Sequence, residues 1–268
     1  MYMGVCMLFC KMNGLGNDYI FFDSSNCNKS DFDFLKSNVK SITPKLSDRN
    51  FGIGGDGVVL VETSEVADAK MRIFNADGTE GMMCGNALRC IGKILYDKAP
   101  ATQKDYFVET LSGIKHLKII ENDGSKSVIS TDMGLPKLVN IVDDVEFYNV
   151  GNPHAVFYVD RLNDTAMEKA KELSSIYDVN AEAVKIDRNC ISMRVWERGS
   201  GETLACGTGA TCVAYSILNK RNNQNEIELS LRGGKLRAIK EKDNISLIGT
   251  ANINFIGEIN LDYYGKNQ

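Results

Sequence analysis

Two cysteines of this chain occur within segments of the same pattern. Residues 80–90 and 202–212 both read E-x-x-x-C-G-x-x-x-x-C, and the first cysteines of these patterns are Cys84 and Cys206. Apolar residues follow each of them at three- and four-residue steps, which predicts that a helix begins there. Free N–H groups and the positive end of the helix dipole face outward at such a place. Each position therefore favours a thiolate and can hold a carboxylate.

Two thiols in such positions suit inversion at a carbon atom that lies next to a carboxylate. One thiolate removes the α-proton of an amino acid from one face, and the opposing thiol delivers a proton to the other face. The charge that develops on the carboxylate needs preorganised hydrogen-bond donors in a site that excludes water. The spacing alone leaves two other interpretations open, a redox pair and a coincidence of duplication.

The other six cysteines are expected to pack as small buried side chains. They are Cys6, Cys10, Cys27, Cys90, Cys190 and Cys212. The sequence has no C-x-x-C pair and two histidines, His116 and His154, so a structural zinc site is not expected. A disulfide framework is not expected either, because a chain of this length can build a sufficient core.

The repeated pattern predicts an α/β (α+β) fold of two similar lobes, rich in antiparallel strands, each with one apolar helix behind its cysteine. A strand-like run precedes each cysteine, at residues 70–75 and 191–197, and Gly/Asn/Asp turns join further strands. Additional helical signals occur at residues 44–50 and 165–175.

The boundary between the lobes is expected near residues 121–130, without a long linker or a low-complexity segment. We expect an N-terminal lobe of residues 1–127, to which the strand at 252–268 returns. Residues 128–251 are expected to form the C-terminal lobe.

The composition of the 268 residues is that of an ordinary globular protein, with 43% hydrophobic and 25% charged residues. A net charge of −4 without basic runs gives no support for nucleic-acid binding. The apolar N-terminal stretch lacks the basic start and the long apolar core of a signal peptide, and no other stretch is long enough to span a membrane. We therefore expect a cytoplasmic protein with neither a nucleic-acid nor a membrane partner.

Seven blocks of the chain, in order, are similar to those of the diaminopimelate epimerase family. They include N-G-L-G-N-D at 13–18, M-C-G-N at 83–86 and C-G-T-G at 206–209. The full set covers residues 11–18, 51–57, 74–80 with 83–86, 151–154, 194–199, 201–209 and 233–236. The chain thus resembles this family along nearly its whole length.

The resemblance implies two pseudosymmetric lobes, each a barrel-like sheet around a central helix, with the site in the cleft between them. It implies conversion of LL-diaminopimelate to the meso form, in lysine and peptidoglycan synthesis, without pyridoxal phosphate, metal or another cofactor. The partners that it implies are a small amino-acid substrate and a second copy of the chain, in a homodimer.

On the matching positions, the resemblance makes Cys84 and Cys206 the base and acid. The residues that it implies as a cradle for the reacting carboxylate are Gly85, Asn86, Gly207 and Thr208. The implied substrate contacts are Asn17, Asn75, Asn152, Asn180, Glu197 and Arg198. A guanidinium can grip a carboxylate in a forked pair, and a carboxylate can hold an ammonium, so this set suits an amino-acid group. His154 is a supporting residue whose role is either structural or catalytic.

Two positions depart from the family pattern, since Asn13 replaces its usual His and Tyr19 its usual Phe. The change at position 13 lies near the substrate loop and leaves the choice among related substrates open. The first alternative is therefore a racemase or epimerase of histidine, lanthionine or proline on the same scaffold. An isomerase of the phenazine type is disfavoured because it lacks the cysteine pair. A thiol-redox or metal-binding module without turnover is the remaining alternative.

Overall fold

The computed structural model describes residues 5–99, 102–188, 190–221 and 223–265. The chain divides into two compact units. The N-terminal unit holds the residues up to Ile129 together with those from Thr250 onward, and the C-terminal unit is Ser130–Gly249. Of the predicted N-terminal lobe, residues 1–4, 100–101 and 266–268 lie outside the described residues.

The helices and strands of the first half of the chain are, in order, β1 (Cys6–Gly14), β2 (Asn17–Asp23), α1 (Lys29–Ser47), β3 (Gly57–Glu62), β4 (Ala69–Asn75), β5 (Glu80–Gly81), α2 (Gly85–Lys98), β6 (Asp105–Thr110), β7 (Gly113–Asn122) and β8 (Lys126–Asp132). Those of the second half are β9 (Lys137–Val142), β10 (Val145–Asn149), β11 (Pro153–Tyr158), α3 (Asp164–Tyr177), β12 (Asn180–Asp187), β13 (Cys190–Glu197), β14 (Gly201–Thr203), α4 (Gly207–Lys220), β15 (Glu226–Leu231), β16 (Gly234–Lys240), β17 (Ile245–Asn260) and α5 (Asp262–Gly265). In sequence, β8 and β17 each run past a boundary between the units. Among the described residues, no helix is long and apolar enough to cross a membrane.

The strands of the N-terminal unit pair in the order β17, β1, β2, β3, β4, β6, β7. Two of these pairs, β2 with β3 and β4 with β6, are parallel, and the others are antiparallel. A parallel pair needs a crossover connection, and α1 and α2 provide the two crossovers.

The C-terminal unit follows the same plan, with strands paired in the order β9, β10, β11, β12, β13, β15, β16. Here the parallel pairs are β11 with β12 and β13 with β15, and α3 and α4 form their crossovers. Each unit therefore has its cysteine-bearing helix between the strands of its second parallel pair. The repeat predicted from the sequence is confirmed.

The helix behind each cysteine is the central element of its unit. The first nine residues of α2 are buried, and Leu88 and Ile91 pack within the main apolar cluster of the N-terminal unit. In α4, Val213, Ala214 and Ile217 are buried in the same manner. The predicted fold class, with a barrel-like, mostly antiparallel sheet around a central helix in each lobe, is confirmed.

The helical signal at residues 44–50 is wrong at both ends, because α1 begins at Lys29, contains Pro44 and ends at Ser47. Buried apolar residues recur along α1 at three- and four-residue steps, namely Phe32, Leu35, Val39, Ile42 and Leu46. A proline inside a helix lacks the N–H that would bond the carbonyl four residues earlier, here Lys40. Gly78 lies against the carbonyl oxygen of Lys40, where a Cβ would come within 2.2 Å of that oxygen. The turn that follows Asn75 therefore packs against α1 at this position.

Candidate active site

Cys206 lies in the C-terminal unit, between β14 and α4. Its backbone is extended (φ −113°, ψ 115°), and the helix begins at the next residue, as predicted. Its Sγ accepts a hydrogen bond from the first-turn N–H of Gly209 at 3.4 Å and lies 3.4 Å from Thr208 Oγ1. Because the residue is also buried, the thiol is exposed to the field of the helix terminus with little screening by water.

Two carboxyl groups lie beside the Cys206 thiol. Glu197, at the end of β13, hydrogen-bonds with the thiol and accepts a hydrogen bond from the hydroxyl of Thr203. Burial raises the pKa of the Glu197 carboxyl above its ordinary value, and these two hydrogen bonds partly oppose that effect. Glu182, on β12, is fully buried and acts on the thiol through its charge.

The helix terminus alone predicts a lowered pKa, and for Cys206 this prediction is wrong. Burial raises the pKa of the Cys206 thiol well above its ordinary value, and the negative charges of Glu197 and Glu182 raise it further. The hydrogen bonds with Thr208 and Gly209 oppose these effects without overcoming them. Cys206 therefore rests as a thiol that has a proton to donate.

A hydrogen-bonded chain links Glu182 to the mouth of α4. His154 Nδ1 lies 2.7 Å from Glu182 Oε1, and His154 Nε2 lies 3.1 Å from Asn152 Oδ1. Asn152 Nδ2 in turn donates to Thr208 Oγ1 at 3.4 Å. Both nitrogens of the fully buried imidazole thus face oxygen acceptors. The predicted residues His154, Asn152, Thr208 and Cys206 are brought together by this chain.

The Glu182 carboxylate lies directly against the first turn of α4. A Cβ at Gly209 would come within 2.4 Å of Glu182 Oε1, which explains why this position has no side chain. Among the described residues, Glu182 Oε2 has no hydrogen-bond partner. Donor atoms of His154, Glu182 and Cys206 lie within 4.8 Å of one another and could hold a metal ion. Both nitrogens of His154 already have hydrogen-bond partners, however, so the arrangement suits proton handling better.

Arg198 and Asn180, two predicted substrate contacts, lie next to each other. Asn180 Oδ1 accepts a hydrogen bond from the backbone N–H of Arg198 at 2.8 Å. The guanidinium of Arg198 is about half exposed and forms an ion pair with Asp178 at 2.7 Å. An incoming carboxylate can replace that partner, because an exposed ion pair contributes little free energy, about 0–1 kcal/mol.

The glutamates repeated before each cysteine brace the preceding hairpin. Glu80 accepts two hydrogen bonds from Arg72 (2.6 and 3.0 Å), and Glu202 accepts two from Arg194 (2.7 and 2.9 Å). In both units the arginine precedes the glutamate by eight residues, and the hairpin brings them together. These arginine–glutamate pairs were not predicted, although R-x₇-E occurs in both segments of the sequence.

Cys84 occupies the corresponding position in the N-terminal unit. Its backbone is extended (φ −140°, ψ 121°), and α2 begins at the next residue, Gly85. The Sγ atom lies 3.5 Å from the hydroxyl of Tyr19. The departure from the family's Phe at position 19 thus adds a hydrogen-bonding group beside the thiol.

Two further predicted residues of this unit lie at strand ends. Asn17 is buried at the start of β2, and Asn75 ends β4, where its Nδ2 donates to Thr79 Oγ1 at 3.0 Å. The predicted cradle residues Gly85 and Asn86 form the buried first turn of α2.

Asn13 shapes the turn between β1 and β2. Its Nδ2 donates to Asn254 Oδ1 at 2.9 Å, and its Oδ1 accepts from the N–H of Gly16 at 3.3 Å. A Cβ at Gly14 would come within 2.9 Å of the Asn86 carbonyl oxygen, so this turn lies against the mouth of α2. The residue that departs from the family pattern therefore has a structural role in placing the turn.

Two buried charged residues of the sites were not predicted from the sequence. Glu182 lies in a strand whose residues 180–184 are all buried, and Arg89 is fully buried within α2. The available signal was a single charged residue inside an otherwise apolar or small-residue run. Such a residue is rarely buried without a partner and so points to a functional neighbour.

Replacing Glu197 by Gln removes a negative charge beside Cys206 and should lower the pKa of the thiol. We expect Cys206 to react faster with iodoacetamide at pH 8, by up to about tenfold for each pKa unit, measured by mass spectrometry of the alkylated peptide. The exposed Glu241→Gln variant serves as the control and should alkylate like the unmodified chain. Slower or unchanged alkylation of Cys206 in a folded Glu197→Gln protein would contradict this electrostatic account.

Replacing Gly209 by Ala should force Glu182 and the first turn of α4 apart. We expect the free energy of unfolding in urea to fall by about 1–3 kcal/mol. The control is Gly92→Ala in α2, where the added Cβ meets only side-chain methyl groups at 3.3 Å or more, and where we expect a change below about 1 kcal/mol. Equal stability of the two variants would mean that Glu182 does not press against α4.

The chain is similar to known proteins over nearly its full length. The family model described as diaminopimelate epimerase matches residues 9–139 and again 129–254. A diaminopimelate epimerase of Acetivibrio thermocellus is 41% identical over 285 residues, which cover 96% of this chain and 99% of that protein. One of Methanococcus maripaludis (strain C5) is 41% identical over 284 residues, with 95% and 100% covered.

Among solved structures, a phenazine biosynthesis protein of the PhzF family from Bacillus anthracis has the same fold, with a TM-score of 0.72, 16% identity, and 95% and 99% of the two chains covered. That low identity bears on the fold alone. Because the family model matches both units and the sequence relatives are 41% identical over nearly the full length, the chain belongs to the diaminopimelate epimerase family.

Proposed function

We propose that this chain converts LL-2,6-diaminopimelate to meso-diaminopimelate, as an amino-acid epimerase of lysine and peptidoglycan synthesis. The observation that carries the proposal is the match to relatives named diaminopimelate epimerase, at 41% identity over nearly the full length of both chains. A cysteine at the N-terminus of a buried helix in each unit supports it, because the reaction needs one base and one acid.

The proposed reaction consists of two proton transfers at one α-carbon. The thiolate of one cysteine takes the α-proton, so that a C–H bond breaks and an S–H bond forms. The thiol of the other cysteine then gives its proton to the opposite face and becomes a thiolate. The electron pair stays on the α-carbon and its carboxylate between the two steps, so the reaction needs no oxidant, reductant or electron-sink cofactor. The proposal requires that Cys84 and Cys206 reach the same carbon from opposite faces.

The first turns of α2 and α4 are proposed to hold the reacting carboxylate. The backbone N–H groups at Gly85, Asn86, Gly207 and Thr208 belong to the helix positions that lack a partner within the helix. Together with the helix dipoles they favour negative charge, most strongly in the enolate-like intermediate. Their contribution is thus larger in the transition state than in the ground state, which is what acceleration requires.

The remaining predicted contacts are proposed to select a substrate with a second amino-acid group. Arg198 would exchange its exposed partner, Asp178, for the distal carboxylate, while Asn180 keeps the backbone at Arg198 in place. Glu197 would accept a hydrogen bond from an ammonium group. Asn17, Asn75 and Asn152 would add directional donors and acceptors. A single-ended amino acid such as proline would leave the Arg198 contact unused.

Replacing either Cys84 or Cys206 by Ala should lower epimerisation about 10³-fold or more, because each variant lacks the base or the acid. Activity is measured as exchange of α-hydrogen in deuterated water and as formation of the meso isomer, across diaminopimelate, histidine, lanthionine and proline. Cys190→Ala removes an exposed cysteine instead and should leave the rate unchanged.

Full activity in either alanine variant would refute the two-base mechanism. Exchange with histidine, lanthionine or proline and none with diaminopimelate would refute the proposed substrate and leave the mechanism standing. The exchange assay and the product assay together separate these outcomes, because a variant with one intact thiol can exchange hydrogen without inverting the centre.

We also propose a homodimer in the cytoplasm, where the eight free cysteines would stay reduced. The candidate interface is the β1–β17 strand pair of the N-terminal unit. There Leu8 and Ile256 expose apolar side chains on the same face of adjacent strands, and Ile256 is 67% exposed. Exposed apolar side chains that cluster in this way favour contact with another protein surface.

Replacing Ile256 by Lys should weaken such a dimer, because it places a charge in an apolar contact. Sedimentation velocity should give twice the chain mass for the unmodified protein and a shift toward the monomer for the variant. Ile176→Lys, at an equally exposed isoleucine of α3 (64%), is the control and should sediment like the unmodified protein. A monomeric unmodified protein would refute the dimer.

A further inference from the structure

Tyr19 lies on β2 with its hydroxyl 3.5 Å from the sulfur of Cys84. The side chain is buried, and its ring packs edge-on against Phe21 with the ring centroids 6.5 Å apart. Met12 on β1 and Gly57 on β3 pair with Tyr19 from the two sides, so its backbone lies between two hydrogen-bonded strands. The sheet and the apolar cluster therefore fix the hydroxyl at the mouth of α2.

The hydroxyl can hydrogen-bond with Cys84 in both protonation states of the sulfur. A phenol is both a donor and an acceptor, so it donates to a thiolate and accepts from a thiol. The bond to the thiolate is the stronger one, since a hydrogen bond to an ionised group is roughly twice as strong as one between neutral groups. The contact therefore favours the thiolate over the thiol while it holds the sulfur in place.

The sulfur of Cys206 has different partners. It accepts a hydrogen bond from the N–H of Gly209 in the first turn of its own helix, and it lies 3.4 Å from Thr208 Oγ1. Among the described residues, the side chain of Cys84 forms no capping hydrogen bond with α2. A hydroxyl on a neighbouring strand thus directs the Cys84 sulfur, whereas residues of the helix itself direct the Cys206 sulfur.

We propose that Tyr19 is a positioning residue, whose hydroxyl orients the sulfur of Cys84 and favours its ionised form. The consequence for catalysis rests on the function proposed above. Before Cys84 takes the α-proton, the phenol donates to its thiolate, and after the transfer the new S–H group donates to the phenol oxygen. The phenol keeps its own proton in both states, so Tyr19 exchanges no proton with the substrate.

Other charged or titratable groups also surround Cys84. Arg89 and Cys90 lie on α2, and Cys10 lies on β1 in the same apolar cluster. Replacing Tyr19 by Phe removes one oxygen atom and leaves these groups and the packed ring in place. A change in the ionisation of Cys84 in this variant therefore reports on the hydroxyl.

The test is the pH dependence of alkylation at Cys84 in Tyr19→Phe. The full-length reduced protein is treated with iodoacetamide between pH 5 and 10 without substrate, and the peptide is quantified by mass spectrometry. We expect the midpoint to rise by about half to one pH unit, which lowers the rate near pH 7 about three- to tenfold. The control is Tyr106→Phe, which removes a hydroxyl of the same cluster that donates to the carbonyl of Gln103 at 3.3 Å, and which should leave the midpoint unchanged.

Activity separates this role from a purely structural one. With LL-diaminopimelate at pH 7, kcat of Tyr19→Phe should fall about three- to tenfold, since the thiolate fraction falls by that factor. KM should stay within about twofold, because the variant leaves the first turn of α2 unchanged. Above the new midpoint kcat should recover, because the thiolate then forms without help from the hydroxyl.

The proposal fails on any of three results. They are a Cys84 midpoint that is unchanged or lower in Tyr19→Phe, an equal shift in Tyr106→Phe, and a loss of kcat that is the same at every pH. The variant carries the residue usual in the family and keeps the ring, so we expect it to fold, and urea unfolding checks this. Alkylation without substrate does not depend on whether diaminopimelate is epimerised. A shifted midpoint in a protein that does not act on diaminopimelate would refute the proposed function and leave the role of Tyr19 at the thiol standing.

Discussion

The burial of α2 and α4 at their N-termini is the constraint on which the rest of the structure depends. The first N–H groups of any helix lack partners within the helix, and a buried terminus cannot leave them to bulk water. In both units a cysteine precedes the terminus and a glycine follows it, so the backbone and the thiol are both available to a ligand. The arginine–glutamate pairs then brace the hairpin that leads into each cysteine. Each unit therefore has a thiol with an extended backbone directly before a buried helix N-terminus.

Cys84 and Cys206 have similar backbone conformations, so a difference between the two thiols must come from the charged side chains around them. Near Cys84 the buried charge is the guanidinium of Arg89, and near Cys206 the buried charges are those of Glu182 and Glu197. The helix dipole has the same sign at both sites, so it cannot distinguish the two thiols. The charged side chains near each helix can distinguish the two thiols, because a charge in a site without water acts far more strongly than a charge in water.

The parts of the fold that depend on local pattern could be predicted from the sequence. The starts of α2 and α4, the strand before each cysteine and the repeat itself all follow from short-range periodicity and glycine placement. The predicted helix start at residue 44 is wrong, because the apolar steps of α1 begin at Phe32 and run through Pro44 to Leu46. The pKa of Cys206 was wrongly predicted for a different reason. It depends first on burial and then on the charges of Glu197 and Glu182, and β-sheet pairing brings Glu182 to the helix mouth from 24 positions away in the sequence.

Side chains at the two sites differ in how much free energy is lost when their present hydrogen-bond or ion-pair partner is exchanged for another group. Arg198 holds Asp178 at the surface, where an ion pair contributes little, so another carboxylate could replace Asp178 at almost no cost in free energy. His154 and Glu182 are fully buried and hydrogen-bonded to each other, and breaking that pair would leave a bare carboxylate in the core. His154 is therefore better understood as part of the fixed frame around Cys206 than as a group that leaves its partner to bind substrate. Among the described residues, Glu182 Oε2 has no hydrogen-bond partner, so His154 is the main group that stabilises this buried carboxylate. Burial of the thiol and the negative charges of Glu197 and Glu182 beside it together favour the protonated form of Cys206.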